Sequence, residues 1–252
     1  MNPVRHLPNF ITSLNLFCGC LAILSLTYAS DPLTAAFLVI AAAIFDFLDG
    51  FVARLLKVTS SIGAELDSLA DMVTFGVVPG LILLHYLADS IPHTISGLNS
   101  FFDHPLLLIP LLIPVFSALR LAKFNVDTRQ SESFRGLPTP ASALWVIAIP
   151  LMIEYSPIGL RGDIGTVQQV IVDQWFIIAS SIVLSGLMVS DIPLMAMKFK
   201  SFGWKGNQVK YAFLIISVLL LIILQPIAIP IILSLYVFIS TLNNLFSKQN
   251  EI

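Results

Sequence analysis

An all-α, polytopic membrane bundle of about eight helices is the fold class this sequence predicts, and three observations predict it. Of 252 residues, 57% are hydrophobic and only 11% charged, with a mean hydropathy of +0.91. Soluble domains carry about 25% charged residues, so this chain belongs in lipid. Its apolar residues also fall into segments near the roughly 20 needed to cross ~30 Å of hydrocarbon. These run from Phe10 to Tyr28, then over 33–52, 72–90, 104–120, 139–155, 174–192, 210–225 and 227–243. Threaded alternately, the segments put 12 of the 13 Lys and Arg residues on one side, and only Arg161 on the other. By the positive-inside rule both termini are then cytoplasmic, in an inner membrane.

The first segment follows Pro8 and could pass for a secretory signal. Its apolar length and the lack of a small-residue cleavage site predict instead a retained membrane helix. Asn9, Thr12 and Asn15 recur at three-residue steps, and Gly19 extends the stripe by four. Such a stripe either hydrogen-bonds neighbouring helices or faces a polar ligand. Cys18 and Cys20 lie in the apolar run without metal or disulfide spacing and read as helix-packing thiols.

Between the second and third segments lies DFLDGFVARLLKVTSSIGAELDSLAD, residues 46–71. Asp46 and Asp49 are three apart and Asp67 and Asp71 four apart, so each pair shares a helix face. Two facing helix ends could present four carboxylates to one point. Such acids at the edge of hydrocarbon demand compensation, and hard divalent cations, Mg²⁺ or Mn²⁺, suit an all-oxygen set. Gly50 and Ala53 leave the wall between the pairs nearly bare, and Arg54 adds a cation suited to phosphate. Helix capping or close helix packing would account for one such residue, not for the constellation.

The pattern D-x2-D-G-x2-A-R-x8-G-x3-D-x3-D is met without a gap by Asp46, Asp49, Gly50, Ala53, Arg54, Gly63, Asp67 and Asp71. It resembles the signature of the CDP-alcohol phosphatidyltransferases, integral membrane enzymes of phospholipid synthesis. The resemblance implies that Asp46, Asp49 and Asp67 bind metal and help hold the CDP group, while Asp71 joins the metal site and serves as general base. Two metal ions are expected, with Gly50, Ala53, Arg54 and Gly63 lining the CDP-lipid site. The P-N-x-x-T-x-x-N-x-x-x-G start resembles the phosphatidylserine-synthase branch, which brings Asn9, Thr12 and Asn15 to the same ligand. A homodimer is also implied.

Residues 88–103 contain no Lys or Arg and are expected outside. His85, His93 and His104, in or near that loop, read as interfacial, away from the aspartates. Arg120 to Ala141, RLAKFNVDTRQSESFRGLPTPA, returns to the basic side with Arg120, Lys123, Arg129 and Arg135. A solvated loop drawn to anionic lipid is one reading. R-L-A-K-F-N followed by F-R-G-L-P-T-P-A resembles the phosphatidylserine synthases, with Lys123 where arginine is more usual. By that resemblance Arg120, Lys123, Asn125 and Arg135 lie near the acceptor alcohol or the lipid phosphate. A cationic corner suits the carboxylate of L-serine.

Met197 to Lys210 alternates bases with Phe199, Phe202 and Trp204 and reads as an interfacial loop on anionic lipid. The chain is expected to be a single domain over 1–252, with its core at 8–192 and 193–252 adding that loop and two apolar helices. The resemblance points to transfer of a phosphatidyl group from CDP-diacylglycerol to L-serine. Glycerol 3-phosphate or inositol phosphate would also accept a basic pocket. A cation-coupled transporter and a lipid-binding scaffold are the readings outside that chemistry. Nothing in the charge pattern calls for a nucleic-acid partner.

Overall fold

Eight helices occupy the eight apolar segments, in a computed structural model that describes residues 6–58, 60–91, 102–126, 134–155, 169–194 and 207–249. α1 (Leu7–Tyr28) and α2 (Pro32–Leu56) form a tight antiparallel pair. Asp31 sets the turn: its Oδ1 accepts the Thr34 amide at 2.9 Å, and Pro32 supplies a first helical residue that needs no donor. Those hydrogen bonds hold the Asp31 carboxyl below the usual carboxylate range. At the far end of α2, Lys57 turns left-handed at φ 52° and stops the helix.

α3 spans Ser61–Ser90 and is the axis of the bundle, with 56% of its most apolar stretch buried. Phe75, Val78, Ile82, Leu83 and Leu87 are all fully enclosed. Its path is α-helical to Asp71, π-helical over Met72–Val77, and α-helical again from Val78. Pro79 has no amide hydrogen to offer the preceding turn, so the widened turn falls where regular bonding is already interrupted. α4 (Pro105–Val126) opens as a 3₁₀ helix over Pro105–Leu111 and becomes α-helical from Leu112. Pro110 lies inside this 3₁₀ stretch, which runs a little over two turns.

α5 (Thr139–Glu154) and α6 (Gln174–Val189) pack beside this core, joined by stacking of Trp145 on Phe176 at 5.7 Å. Each has 16 residues, fewer than the sequence segments allotted to them. α7 (Gln208–Leu224) and α8 (Ala228–Gln249) are separated by a 3₁₀ turn at Gln225–Ile227. Phe213 and Tyr236 meet across that turn with ring centroids 5.9 Å apart, so the two helices fold back on each other. The most apolar stretch of their combined run is only 17% buried, with many of its Ile, Leu and Val exposed.

Among the described residues, five helical runs are long and apolar enough to span a membrane: α1, α2, α3, α4 and the α7–α8 run Gln208–Leu242. The protein is therefore an all-α, polytopic membrane bundle. One feature departs from pure helix. β1 (Phe134–Arg135) pairs antiparallel with β2 (Pro193–Leu194) and ties the start of α5 to the end of α6. Gly136 allows it, because its φ is +73° and a Cβ there would lie 2.5 Å from the Met188 carbonyl oxygen.

Candidate active site

The ends of α1, α2, α3, α4 and α6 that carry polar residues gather at one end of the bundle. Lys57 closes α2, and Ser60 opens α3 by accepting the Gly63 amide at 3.2 Å, so the two aspartate pairs return to face each other. One carboxylate oxygen each from Asp46, Asp49 and Asp67 lies within 4.8 Å of the others. Asp46 and Asp67 approach to side-chain hydrogen-bonding range, which two carboxylates sustain only with a proton or a cation between them. Oδ1 of Asp67 is buried and has no hydrogen-bond partner. An all-oxygen donor set with one orphaned oxygen fits a hard divalent cation such as Mg²⁺ or Mn²⁺.

Asp71 stands apart from that trio. It is one turn further along α3, only 8% exposed, and it does not share the three-way oxygen cluster. Asn15 Nδ2 donates to Asp71 Oδ1 at 3.2 Å, and the Asn15 carbonyl accepts from Thr74 Oγ1 at 3.3 Å. Thr12 Oγ1 donates to Asp49 Oδ2 at 2.6 Å. It also lies 3.1 Å from the Pro8 carbonyl, but its single hydrogen goes to the nearer, charged acceptor. The polar stripe of α1 thus hydrogen-bonds its neighbouring helices, the first of its two readings, and the groups it bonds include the aspartates.

A cavity of about 260 Å³ opens beside the trio, lined by Asn9, Thr12, Asp49, Gly50, Ala53, Gly63 and Asp67. Gly63 keeps this wall clear: a Cβ would come 2.9 Å from Asn9 Oδ1, so a larger residue would require Asn9 to shift. Arg54, exposed, folds back along α2 until its guanidinium lies 3.4 Å from where a Gly50 Cβ would be. Pro8, Val58, Ser60 and Ala64 complete the wall and were not singled out by spacing.

The four residues expected to receive the acceptor are divided by the fold. Arg120, Lys123 and Arg135 line a second, smaller cavity with Phe124 and Met188–Asp191. Arg120 is 7% exposed, lies 5.8 Å over the Phe124 ring, has an unpartnered Nε, and is in electrostatic contact with Asp71. Lys123 reaches the Val189 carbonyl at 3.5 Å. Asn125 turns the other way: its Nδ2 donates to Ser68 Oγ at 3.0 Å, tying the end of α4 to the residue after Asp67. Ser68, Thr74 and Asp191 were all missed by sequence reasoning. Ser68 carried a signal, adjacency to a signature aspartate; Asp191 carried none.

Other expectations fall away from this end. His85 Nε2 lies 3.5 Å from Asp89 Oδ2, near the far end of α3. His93, Arg129, Arg161 and residues 195–206 lie outside the described residues. Cys18 is buried, Cys20 exposed, and both are free thiols.

Comparison with known proteins agrees with this arrangement. The family described as CDP-alcohol phosphatidyltransferase matches residues 5–184. The chain belongs to that family. It is 34% identical over 252 residues to the CDP-diacylglycerol–serine O-phosphatidyltransferase of Helicobacter pylori, covering 98% of this chain and 94% of that one. The enzyme of the same description from Bacillus subtilis is 36% identical over 163 residues, covering 65% of this chain and 83% of its own length. That from Methanocaldococcus jannaschii is 35% identical over 146 residues, covering 58% and 61%. The family match takes in Asp46, Asp49, Asp67 and Asp71, as well as Arg120, Lys123, Asn125 and Arg135, and stops short of Asp191. α7 and α8 fall outside it and inside the full-length similarity.

Proposed function

We propose that this protein transfers the phosphatidyl group of CDP-diacylglycerol to the hydroxyl of L-serine, giving phosphatidylserine and CMP. The observation that carries this reading is the convergence of Asp46, Asp49 and Asp67, with one Asp67 oxygen orphaned, beside a cavity walled by glycine and alanine. The 34% identity, over nearly the whole chain, to a CDP-diacylglycerol–serine O-phosphatidyltransferase supports the choice of acceptor.

Each residue then has a task. Asp46, Asp49 and Asp67 hold the metal, Mg²⁺ or Mn²⁺, and we infer two ions with Asp71 adding a ligand to the set. The metal supplies charge neutralisation to the pyrophosphate and to the departing CMP. Thr12 fixes the Asp49 carboxylate through its 2.6 Å hydrogen bond. Asn9, Gly50, Ala53 and Gly63 let the CDP group lie close to backbone, and Arg54 faces phosphate. Asn15 engages Oδ1 of Asp71, so the remaining oxygen takes the proton of the seryl hydroxyl as it attacks phosphorus. The phosphorus–oxygen bond to CMP breaks in that step. Arg120, Lys123 and Arg135 attract the acceptor's carboxylate, and Asn125 braces the aspartate helix against α4.

The same reading gives eight spans in a single domain, 1–252, with both termini and the aspartate end in the cytoplasm, and a homodimer in the membrane. The fold-back of α7 on α8 supports the count, and the charge asymmetry supports the orientation. An acceptor screen on purified protein with CDP-diacylglycerol and metal, identifying the lipid by mass, tests the function. Phosphatidylserine is the expected product; efficient transfer to glycerol 3-phosphate or inositol phosphate would overturn the acceptor assignment. Labelling of cysteine at position 100 from outside, and at position 131 only after permeabilisation, tests the topology.

A further inference from the structure

We infer that Asp191 selects the acceptor by binding its ammonium group, so that the corner formed with Arg120, Lys123 and Arg135 reads an α-amino acid as a zwitterion. The inference rests on the proposed serine transferase activity and assigns a role to a residue outside the signature. These four charged side chains line one cavity of about 30 Å³ at the end of α4 and α6. Three cations and a carboxylate share its wall, yet none of the cations lies within 4.0 Å of Asp191: among the described residues the ion pair formed is His85–Asp89. Opposite charges that line one small cavity without pairing leave a gap for a ligand carrying both signs.

The fold keeps them apart. Arg120 is buried on α4, over Phe124 and within electrostatic range of Asp71, with Nε unpartnered. Lys123 is tethered to the Val189 carbonyl, and Arg135 is fixed in the β1–β2 ladder. Asp191 follows Ser190, whose hydroxyl is spent on the Leu187 carbonyl at 2.8 Å, and precedes β2, so its backbone is braced on both sides. The cavity is close to the share of volume of a single liquid water, about 30 Å³. With Lys123 and Asp191 exposed at its rim, the corner meets the two charged ends of a small acceptor from outside and does not enclose it. Arg120 lies within electrostatic range of Asp71, which puts the corner on the side of the bundle that carries the proposed general base. A phosphate-bearing alcohol gains from the three cations but meets repulsion at Asp191. Serine is repelled nowhere.

The test uses the full-length protein in detergent with CDP-diacylglycerol and Mg²⁺, and three acceptors. L-serine carries both charges, 3-hydroxypropionate lacks the ammonium, and ethanolamine lacks the carboxylate. Asp191→Asn is expected to raise the serine KM roughly tenfold or more, the scale of one charge-assisted hydrogen bond, with the CDP-diacylglycerol KM nearly unchanged. The preference for serine over 3-hydroxypropionate should collapse by a similar factor, and Asp191→Glu should restore part of it. Arg135→Ala should instead erode the preference for serine over ethanolamine. An unchanged acceptor preference in Asp191→Asn, or an equal loss with all three acceptors, would overturn the inference while leaving serine transfer standing. Failure of the unaltered protein to make phosphatidylserine would overturn both.

Discussion

The aspartate cleft and the cationic corner sit at the same end of the bundle and are built in opposite ways. The cleft takes its acids from 26 consecutive residues, and two helix ends joined by a short turn bring them together. The corner takes Arg120 from α4, Arg135 from β1 and Asp191 from the end of α6, a sequence span of some 70 residues. Local spacing thus fixes the chemistry common to the family, and long-range packing fixes what the chemistry is applied to. The two regions touch through Asn125, which holds Ser68, and Arg120 of the corner lies within electrostatic range of Asp71.

Variants can separate the two regions, and the largest effect belongs to the cleft. Asp49→Asn or Asp67→Asn removes one of three clustered carboxylates, and CMP release should become unmeasurable while metal-dependent CDP-diacylglycerol binding is damaged with it. Chelation should do the same to the unaltered protein, with activity returning on addition of Mg²⁺ or Mn²⁺. If CDP-diacylglycerol turnover persisted without divalent metal, the cleft would have another role.

Asp71→Asn should be nearly as severe in rate and far milder in binding. Loss of a general base costs ~10²–10⁴-fold in turnover. Because Asp71 lies outside the three-oxygen cluster, CDP-diacylglycerol affinity should fall much less than in Asp49→Asn. Affinity and CMP release measured side by side decide this, and near-normal release in folded protein would remove Asp71 from the base role.

In the corner, the expected losses are in KM. Arg120→Ala and Arg135→Ala should each raise the serine KM by roughly tenfold, with the CDP-diacylglycerol KM much less affected. Arg120→Ala should also lower turnover, because its guanidinium lies within electrostatic range of Asp71, an interaction Arg135 lacks. Equal effects on both substrates would make the corner a structural brace.

The smallest effect is expected at Asn125. Removing its exposed 3.0 Å hydrogen bond to Ser68 should cost about 1 kcal/mol, read as a modest fall in thermal stability and turnover. Serine should keep its advantage over glycerol 3-phosphate. A change in acceptor preference would move Asn125 from bracing the helix to touching the ligand.

The sequence alone determined the membrane class, the eight helical segments and the aspartate signature, because each is a short-range pattern. Hydropathy is a sum over one segment, and a three- or four-residue step states which side chains share a helix face. The stripe of Asn9, Thr12 and Asn15 was legible for the same reason, though not what it faced. Only the tertiary structure decided that Thr12 serves Asp49 and Asn15 serves Asp71, that Asp71 stands off from the other three acids, and that Asn125 turns away from Arg120. It also supplied the π-helical turn after Asp71, the β1–β2 ladder and the place of Asp191. Those facts depend on how helices far apart in the chain rotate and pack. Spacing inside one segment carries no information about its rotation relative to another, so contact between segments is set by side-chain packing that exists only once the bundle has formed.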